Sequence, residues 1–188
     1  MAALGFNRSI QIGEAVEREL AELCSSYGWF THKITAGFGS TIPSLVTPYG
    51  RVKAPDLQIT RPYHPTVAIE CKAKAAYNRS YIFDKHRIEY AHEWSKSLQI
   101  PLLFVLKTKP YHVANPGSWS VCSLRKLYGN HDYLDESSTD RNGRNCPTYI
   151  YSTDLFLPFQ EFFLAGSIST RTEVSFFNIN SDGEETSI

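Results

Sequence analysis

The chain of 188 residues contains 42% hydrophobic and 20% charged residues, with 19 lysines and arginines against 19 acidic residues, and this composition excludes a disordered chain and a fibrous repeat. The charges are uneven, because residues 51–112 carry eleven basic against five acidic side chains and residues 113–188 carry five against ten. A basic middle segment is typical of a polyanion-binding face, and an unevenly charged solvated surface explains it equally well.

Helices and strands alternate along the first part of the chain. The first segment has apolar residues at helical spacing, with Ser9 as the expected N-cap and Gly28 as the stop. A stretch rich in Gly, Ser, Thr and Pro predicts a loop at 37–50. In chain order we predict a helix at 9–27, strands at 29–36, 52–60 and 66–74, a helix at 84–98 and a buried strand at 102–106. The residues expected to face inward from the second helical segment are Phe83, Tyr90, Ala91, Trp94 and Leu98.

The pattern weakens after residue 109. It predicts strands at 119–124 and 148–151, a long loop at 129–147, a short buried aromatic helix or dimer contact at 155–164 and a flexible acidic tail at 178–188. This order of elements predicts an α/β fold in which a mixed β-sheet is flanked by helices. We expect one domain at 1–177, with a core at about 10–109 and a C-terminal extension at 110–177.

The apolar runs and the cysteines indicate the cellular compartment of the protein. The longest apolar run is far too short to span a bilayer, and no secretory leader opens the chain. The four cysteines form no C-x-x-C pair, which argues against a zinc site and fits reduced thiols. We therefore expect a cytoplasmic, intracellular protein that is not secreted and has no membrane partner.

The hairpin predicted from the strands at 52–60 and 66–74 brings acidic residues together. When these strands pair antiparallel across a five-residue turn, Asp56 lies opposite Glu70 and the apolar side chains all fall on the other face. Lys72 shares the face of Glu70, because side chains alternate along a strand. The register that groups the apolar residues therefore also groups the two acids.

Two neighbouring carboxylates repel each other unless a cation neutralises them, and oxygen ligands suit a hard divalent cation such as Mg²⁺. A lysine beside such a cation can stabilise charge that develops on a phosphate. The pattern thus predicts a phosphodiester-cleaving centre. A surface hairpin with an ordinary Glu–Lys pair is the plain alternative.

The motif of Pro55-Asp56 followed by Glu70-Cys71-Lys72, in the order helix, strand, hairpin, helix and strand, resembles the PD-(D/E)xK nuclease superfamily. The superfamily has the restriction-endonuclease-like fold. Within it, the chain is most similar to archaeal-type Holliday junction resolvases, which carry a Gly-x-x-x-Glu-Arg pattern on the first helix, matched at residues 13–18. The resemblance covers about residues 10–106.

The resemblance implies the roles of the motif residues. The catalytic residues would be Asp56, Glu70, Lys72 and Glu17. The metal ligands would be Asp56, Glu70, the backbone carbonyl of Cys71 and, directly or through water, Glu17. The cofactor would be Mg²⁺, for which Mn²⁺ would substitute.

The partner implied by the resemblance is DNA, in particular branched DNA, bound by a homodimer without a nucleotide cofactor. The DNA-binding candidates are Ser40, Lys74, Arg79, Lys85 and Arg87. The four basic residues lie close to the motif in sequence, and a solvated helix entrance explains them equally well.

Three functions follow from these residues. The first is a Mg²⁺-dependent, structure-selective DNA endonuclease that resembles a Holliday junction resolvase. The second is a sequence-specific restriction-type endonuclease in which residues 109–147 contact bases. The third is a DNA-binding module of the same fold that has lost catalysis.

Overall fold

The computed structural model describes residues 2–34, 44–47, 50–108, 119–140 and 143–161; Ser40 and the expected tail at 178–188 lie outside them. Within these ranges the helices are α1 (Ala2–Ser26), α2 (Lys85–Leu98) and α3 (Leu124–Leu127). The strands are β1 (Phe30–Lys33), β2 (Ser44–Thr47), β3 (Gly50–Lys53), β4 (Leu57–Thr60), β5 (Val67–Ala73), β6 (Ser80–Asp84), β7 (Leu102–Lys107), β8 (Trp119–Ser123), β9 (Tyr133–Asp135), β10 (Thr148–Ser152) and β11 (Leu157–Pro158). In the described part of the chain, no helix is long and apolar enough to cross a membrane.

The main sheet has six strands in the order β1-β4-β5-β7-β8-β11. Strands β5 and β7 are parallel, and every other neighbouring pair in this sheet is antiparallel. A second sheet has the order β6-β10-β9, and β2 pairs with β3 in a separate hairpin. The mixed sheet with its flanking helices confirms the predicted α/β fold.

Helix α1 covers one face of the main sheet. Its buried residues Val16, Leu20 and Cys24 recur every fourth position and therefore form one stripe. This stripe packs on apolar side chains of the sheet, namely Leu57, Ile59, Val67, Ile69, Cys71, Leu103, Val105 and Val121. The helix ends before Gly28, whose φ of 81° suits glycine, so the predicted stop is confirmed.

Helix α2 covers the opposite face of the sheet. Its buried residues are Ile88, Ala91, Trp94 and Ser95. The prediction that Tyr90 and Leu98 face inward is wrong, because 45% and 42% of these residues are exposed. The buried stripe of α2 runs from Ile88 and Ala91 to Ser95 at helical spacing. Tyr90 and Leu98 therefore lie at the edges of the buried face.

Several element bounds differ from the sequence prediction. Helix α1 begins at Ala2 rather than at Ser9, because the first residues include the strong helix formers alanine and leucine. The strand predicted at 52–60 consists of β3 and β4, which are separated around Pro55. Proline cannot donate to a strand ladder, so it ends the pairing there. Strand β2 lies in the loop predicted at 37–50, strand β9 lies in the loop predicted at 129–147, and β6 has no counterpart among the predicted strands.

The region after residue 109 extends both sheets. Strand β8 lies beside β7 in the main sheet, and β10 pairs with β6 in the second. The aromatic segment at 155–164 is not one helix in its described part, because Leu157–Pro158 forms β11. Phe156 and Phe159 are buried, so these rings belong to the core rather than to an exposed patch for association.

A buried ion pair joins α1 to the end of β7. The side chain of Lys107 is fully buried and forms a salt bridge with Glu19, whose side chain is 30% exposed. The indole N–H of Trp119 donates to the same carboxylate at 3.3 Å. The Lys107 ammonium also lies 5.4 Å from the centroid of the Trp119 ring. One carboxylate thus neutralises the buried ammonium and satisfies a buried indole.

Candidate active site

Strands β4 and β5 pair in the register expected from the sequence. The pairs are Leu57 with Ile69, Gln58 with Ala68 and Ile59 with Val67. The apolar members of these pairs pack under α1. The next opposed positions, moving away from the turn, are Asp56 just before β4 and Glu70 in β5. Both residues are buried.

The backbone of β5 fixes the position of Asp56. The N–H groups of Ala68 and Lys74 donate to carbonyls on the β7 side, so Cys71, at an alternate position, directs its N–H and C=O toward β4. The register sets Cys71 opposite Pro55, which has no N–H to offer. Instead the Cys71 N–H donates to Asp56 Oδ2 at 2.9 Å. The carboxylate therefore lies where the two strands part, against the Cys71 N–H.

Lys72 bridges the two acids. Its Nζ lies 2.6 Å from Glu70 Oε1 and 3.3 Å from Asp56 Oδ2. A second lysine, Lys53, approaches Asp56 Oδ1 at 3.2 Å. The structure thus brings Asp56, Glu70 and Lys72 together, as expected from the hairpin register, and adds Lys53.

Asp56 and Lys72 hold each other ionised. Burial alone would raise the pKa of Asp56, but Lys72, Lys53 and the Cys71 N–H lower it below its ordinary value. Burial would likewise lower the pKa of Lys72, yet Glu70 and Asp56 raise it well above its ordinary value. Lys72 is therefore an ammonium at neutral pH, and Asp56 is a carboxylate.

The donor set fits a hard divalent cation. Asp56, Glu70 and the Cys71 carbonyl offer oxygen atoms alone, which Mg²⁺ and Mn²⁺ prefer over sulfur or nitrogen. Both acids are more than nine-tenths buried and on the same side of the sheet, so a cation there would be shielded from bulk water. Such a cation would take over carboxylate contacts that Lys72 and Lys53 make in this structure.

Glu17, the fourth expected residue of the centre, lies on α1. Its carboxylate pairs with Lys33 of β1 at 2.9 Å rather than with Lys72. Burial and then Asp56 raise the pKa of Cys71, Lys72 lowers it, and Glu17 raises it further. Lys33 would have to release Glu17 before Glu17 could approach a cation.

A cleft of about 380 Å³ opens beside the acids, between β3 and α2. It is lined by Arg51, Lys53, Ala54, Pro55, Glu70, His86, Arg87, Tyr90, Ala91 and Leu102. Three basic side chains, Arg51, Lys53 and Arg87, thus line the cleft together with Glu70, and the exposed Tyr90 adds an aromatic face. This combination of charge and ring suits a nucleic-acid backbone with an adjacent base.

The DNA-binding candidates from the sequence fall in different places. Arg87 lines the cleft. Lys74 donates to the Ile82 carbonyl at 2.6 Å and lies over the Phe83 ring, while Arg79 and Lys85 form ion pairs with Asp154 and Glu89. Ser40 lies outside the described residues. Of the candidates that the structure describes, Arg87 alone is at the cleft.

Arg51 and Lys53 are cleft residues that the sequence pattern did not single out. They flank Val52, which is buried in the core, so they lie on the opposite side of β3 from it. The alternation basic, apolar, basic at 51–53 is a signal that could have identified them. This alternation is obscured when residues 52–60 are treated as one strand that also contains Leu57 and Ile59.

Comparison with one solved structure supports the architecture. Over 80% of this chain and 99% of the other, the structure is similar to Hjc, a Holliday junction resolvase from the archaeon Archaeoglobus fulgidus, with a TM-score of 0.51 and 14% sequence identity. The chain has the restriction-endonuclease-like fold. It also matches D212, a nuclease from a fusselovirus, with a TM-score of 0.44 and 11% identity over 86% of this chain and 90% of that one. No family model and no curated protein matches the sequence.

Proposed function

We propose that this protein is a Mg²⁺-dependent DNA endonuclease that acts on branched DNA, like a Holliday junction resolvase. The observation that carries this proposal is the pair of buried acids, Asp56 and Glu70, bridged by the Lys72 ammonium at the edge of a basic cleft. The similarity to the Hjc fold supports it.

Each residue of the centre has a distinct role in this proposal. Asp56, Glu70 and the Cys71 carbonyl would hold the cation, which when bound would supply an activated water and polarise the scissile phosphate. Lys72 would stabilise charge that develops on the phosphate rather than accept a proton, because its neighbours keep it charged. Glu17 would complete the ligand set, directly or through water.

Paired incision requires two centres. One centre per chain cuts one strand, so opposed nicks in a junction call for two subunits related by a two-fold axis. We therefore include a homodimer in the proposal. Two copies of the cleft, each with Arg51, Lys53 and Arg87, would provide a broad positive surface for several duplex arms.

We expect cleavage of a four-way junction in Mg²⁺ or Mn²⁺, weaker cleavage of plain duplex, and none in the presence of a chelator. The measurement is a panel of labelled junction, flap, single strand and duplex, resolved on a denaturing gel. Equal cleavage of junction and duplex, or cutting at one short sequence, would instead support the restriction-type endonuclease.

A catalytically inactive DNA-binding module is the second candidate. The contacts of Lys53 and Lys72 with the acids favour it, because two lysines balance two carboxylates without any metal. Calorimetric titration with Mg²⁺ or Mn²⁺ separates the two candidates. An active centre would bind the cation in a manner that depends on Asp56 and Glu70, whereas an inactive module would not.

Replacing both Arg51 and Arg87 by alanine is expected to weaken DNA binding without changing the fold, because both side chains are exposed at the cleft. The slope of log affinity against log salt should fall by about 0.9 for each phosphate that is no longer neutralised. Fluorescence anisotropy over a salt series, in a Glu70→Gln background, measures this slope. Lys96→Ala is the matched control, since Lys96 is exposed in the last turn of the same helix and lines no part of the cleft. An unchanged slope in the double variant would place the DNA elsewhere.

A further inference from the structure

A second group of ligand-type side chains lies at the start of α2. Asp84, His86 and Cys146 each place one ligand atom within 4.8 Å of the others. They supply a carboxylate oxygen, an imidazole nitrogen and a sulfur atom. None of the three belongs to the Asp56–Glu70 pair, and Cys146 lies far from the other two in sequence.

Strand pairing brings these residues together. Asp84, at the end of β6, pairs with Thr148 of β10, so the residues just before β10 run past the start of α2. The Lys85 N–H donates to the Pro147 carbonyl at 2.8 Å, and the Cys146 N–H donates to the Ser138 carbonyl at 2.8 Å. The backbone is therefore fixed by hydrogen bonds at or next to each ligand.

The three side chains have lone pairs to offer. Asp84 is in the N-cap position of α2, yet its side chain makes no capping hydrogen bond. One of its carboxylate oxygens lies within 4.8 Å of the Cys146 sulfur. His86 is exposed and its ring contacts only the edge of Tyr90 among the described ring pairs.

We propose that Asp84, His86 and Cys146 form a binding site for a borderline transition-metal cation, with Zn²⁺ as the best match. Sulfur, imidazole nitrogen and carboxylate oxygen are the ligands that Zn²⁺ uses in proteins, and three protein ligands leave a fourth position for water. Mg²⁺ avoids such a set, so the two sites would take different metals. The cation would tie the segment before β10 to the cleft wall, where His86 lies. This inference does not depend on the proposed nuclease activity.

The other thiols do not compete for this cation. Burial raises the pKa of Cys24 and of Cys122 to about 12 each and raises that of Cys71 well above its ordinary value, while burial, Asp84 and Asp140 also raise the pKa of Cys146. Accessibility rather than pKa therefore separates the thiols. Cys24, Cys71 and Cys122 are buried, whereas Cys146 is half-buried. A metal–thiolate signal from this protein would thus report Cys146.

The test is a Co²⁺ titration of the metal-free protein, purified without a histidine tag, in which a sulfur-to-cobalt charge-transfer band reports thiolate ligation. We expect one Co²⁺ per chain with this band, displacement by Zn²⁺, and an increase in melting temperature with Zn²⁺. Cys146→Ser should abolish the band, and His86→Ala, a change at an exposed residue, should weaken binding at least about 100-fold.

Two control variants locate the signal. His32→Ala, at an exposed histidine of β1, and Glu70→Gln should both retain the band. Binding without the band, a band that survives Cys146→Ser, or the absence of Co²⁺ binding would each overturn the proposal. A band lost in Glu70→Gln but kept in His86→Ala would also overturn it, because the metal would then lie at the acidic pair.

Discussion

Asp56→Asn, Glu70→Gln and Lys72→Ala are each expected to lose nearly all DNA cleavage while DNA binding persists. Removing a metal ligand or the charge that faces the scissile phosphate should raise the barrier by at least about 3–4 kcal/mol, which is roughly a 10²–10³-fold loss of rate. Binding should survive, since it is the sum of many phosphate contacts. Single-turnover cleavage of a junction and anisotropy in Ca²⁺ measure the two properties separately.

Matched changes outside the centre serve as controls for this result. Glu22→Gln removes an exposed carboxylate on α1, and Lys96→Ala removes an exposed ammonium on α2; both should cleave at the wild-type rate. Circular dichroism checks that Lys72→Ala remains folded, because it leaves two buried acids without their shared ammonium. Near-wild-type cleavage by any centre variant would show that catalysis takes place elsewhere.

Glu19→Ala is expected to lower the free energy of unfolding by about 3 kcal/mol, because it leaves the buried Lys107 ammonium without its counter-charge. The Trp119 indole N–H loses its acceptor in the same variant. This is a large share of the roughly 5–15 kcal/mol that stabilises a typical domain. Urea denaturation followed by tryptophan fluorescence measures the change.

Lys107→Met should cost much less, about 1 kcal/mol, although it breaks the same ion pair. Methionine fills the space of the lysine stem, and Glu19 can still reach water and accept from Trp119. Glu22→Ala, on the exposed side of the same helix, should change stability by less than about 0.5 kcal/mol. Equal losses in Glu19→Ala and Glu22→Ala would mean that the ion pair contributes nothing specific.

The part of the site that depends on strand register can be predicted from the sequence. A slip of one residue would turn Leu57 and Ile59 away from α1 to the other face of the sheet while Val67 stayed in place, so the apolar pattern alone specifies which residues of β4 and β5 are paired. The same register places Asp56 near Glu70. The positions of the two carboxylates and of Lys72, and the presence of α1 on the apolar face of the hairpin, can therefore be predicted from local patterns.

Contacts between distant segments could not be predicted in this way. Strand β6 has the alternation of a strand, with Tyr81 and Phe83 buried and Ile82 exposed, but its partner β10 lies far along the chain. Phe83 also extends the apolar pattern of α2, so the sequence of β6 resembles the approach to that helix. The Asp84–His86–Cys146 group depends on this pairing. The spacing of the cysteines in the sequence argues against a zinc site because it does not reveal which distant residues the pairing brings together.

Lys107 shows a different limit. The apolar run at 102–106 predicts a buried strand, and a lysine at its end would ordinarily be expected in solvent. Its burial depends on Glu19 from α1 and on the Trp119 ring. Neither partner is a neighbour in sequence, so only the packed structure reveals why a charge is tolerated there.

The position of β8 determines whether a C-terminally shortened chain would expose the edge of β7. All six residues of β7 are buried, and β8 occupies the edge of β7 opposite β5. A chain cut near residue 109 would retain the acids and the helix that follows them, but its last strand would present a flat apolar row with unpaired N–H and C=O groups. Such an edge is a template for adding strands from other molecules. We therefore expect the C-terminal segment to protect the sheet from self-association, and a fragment cut near residue 109 to aggregate.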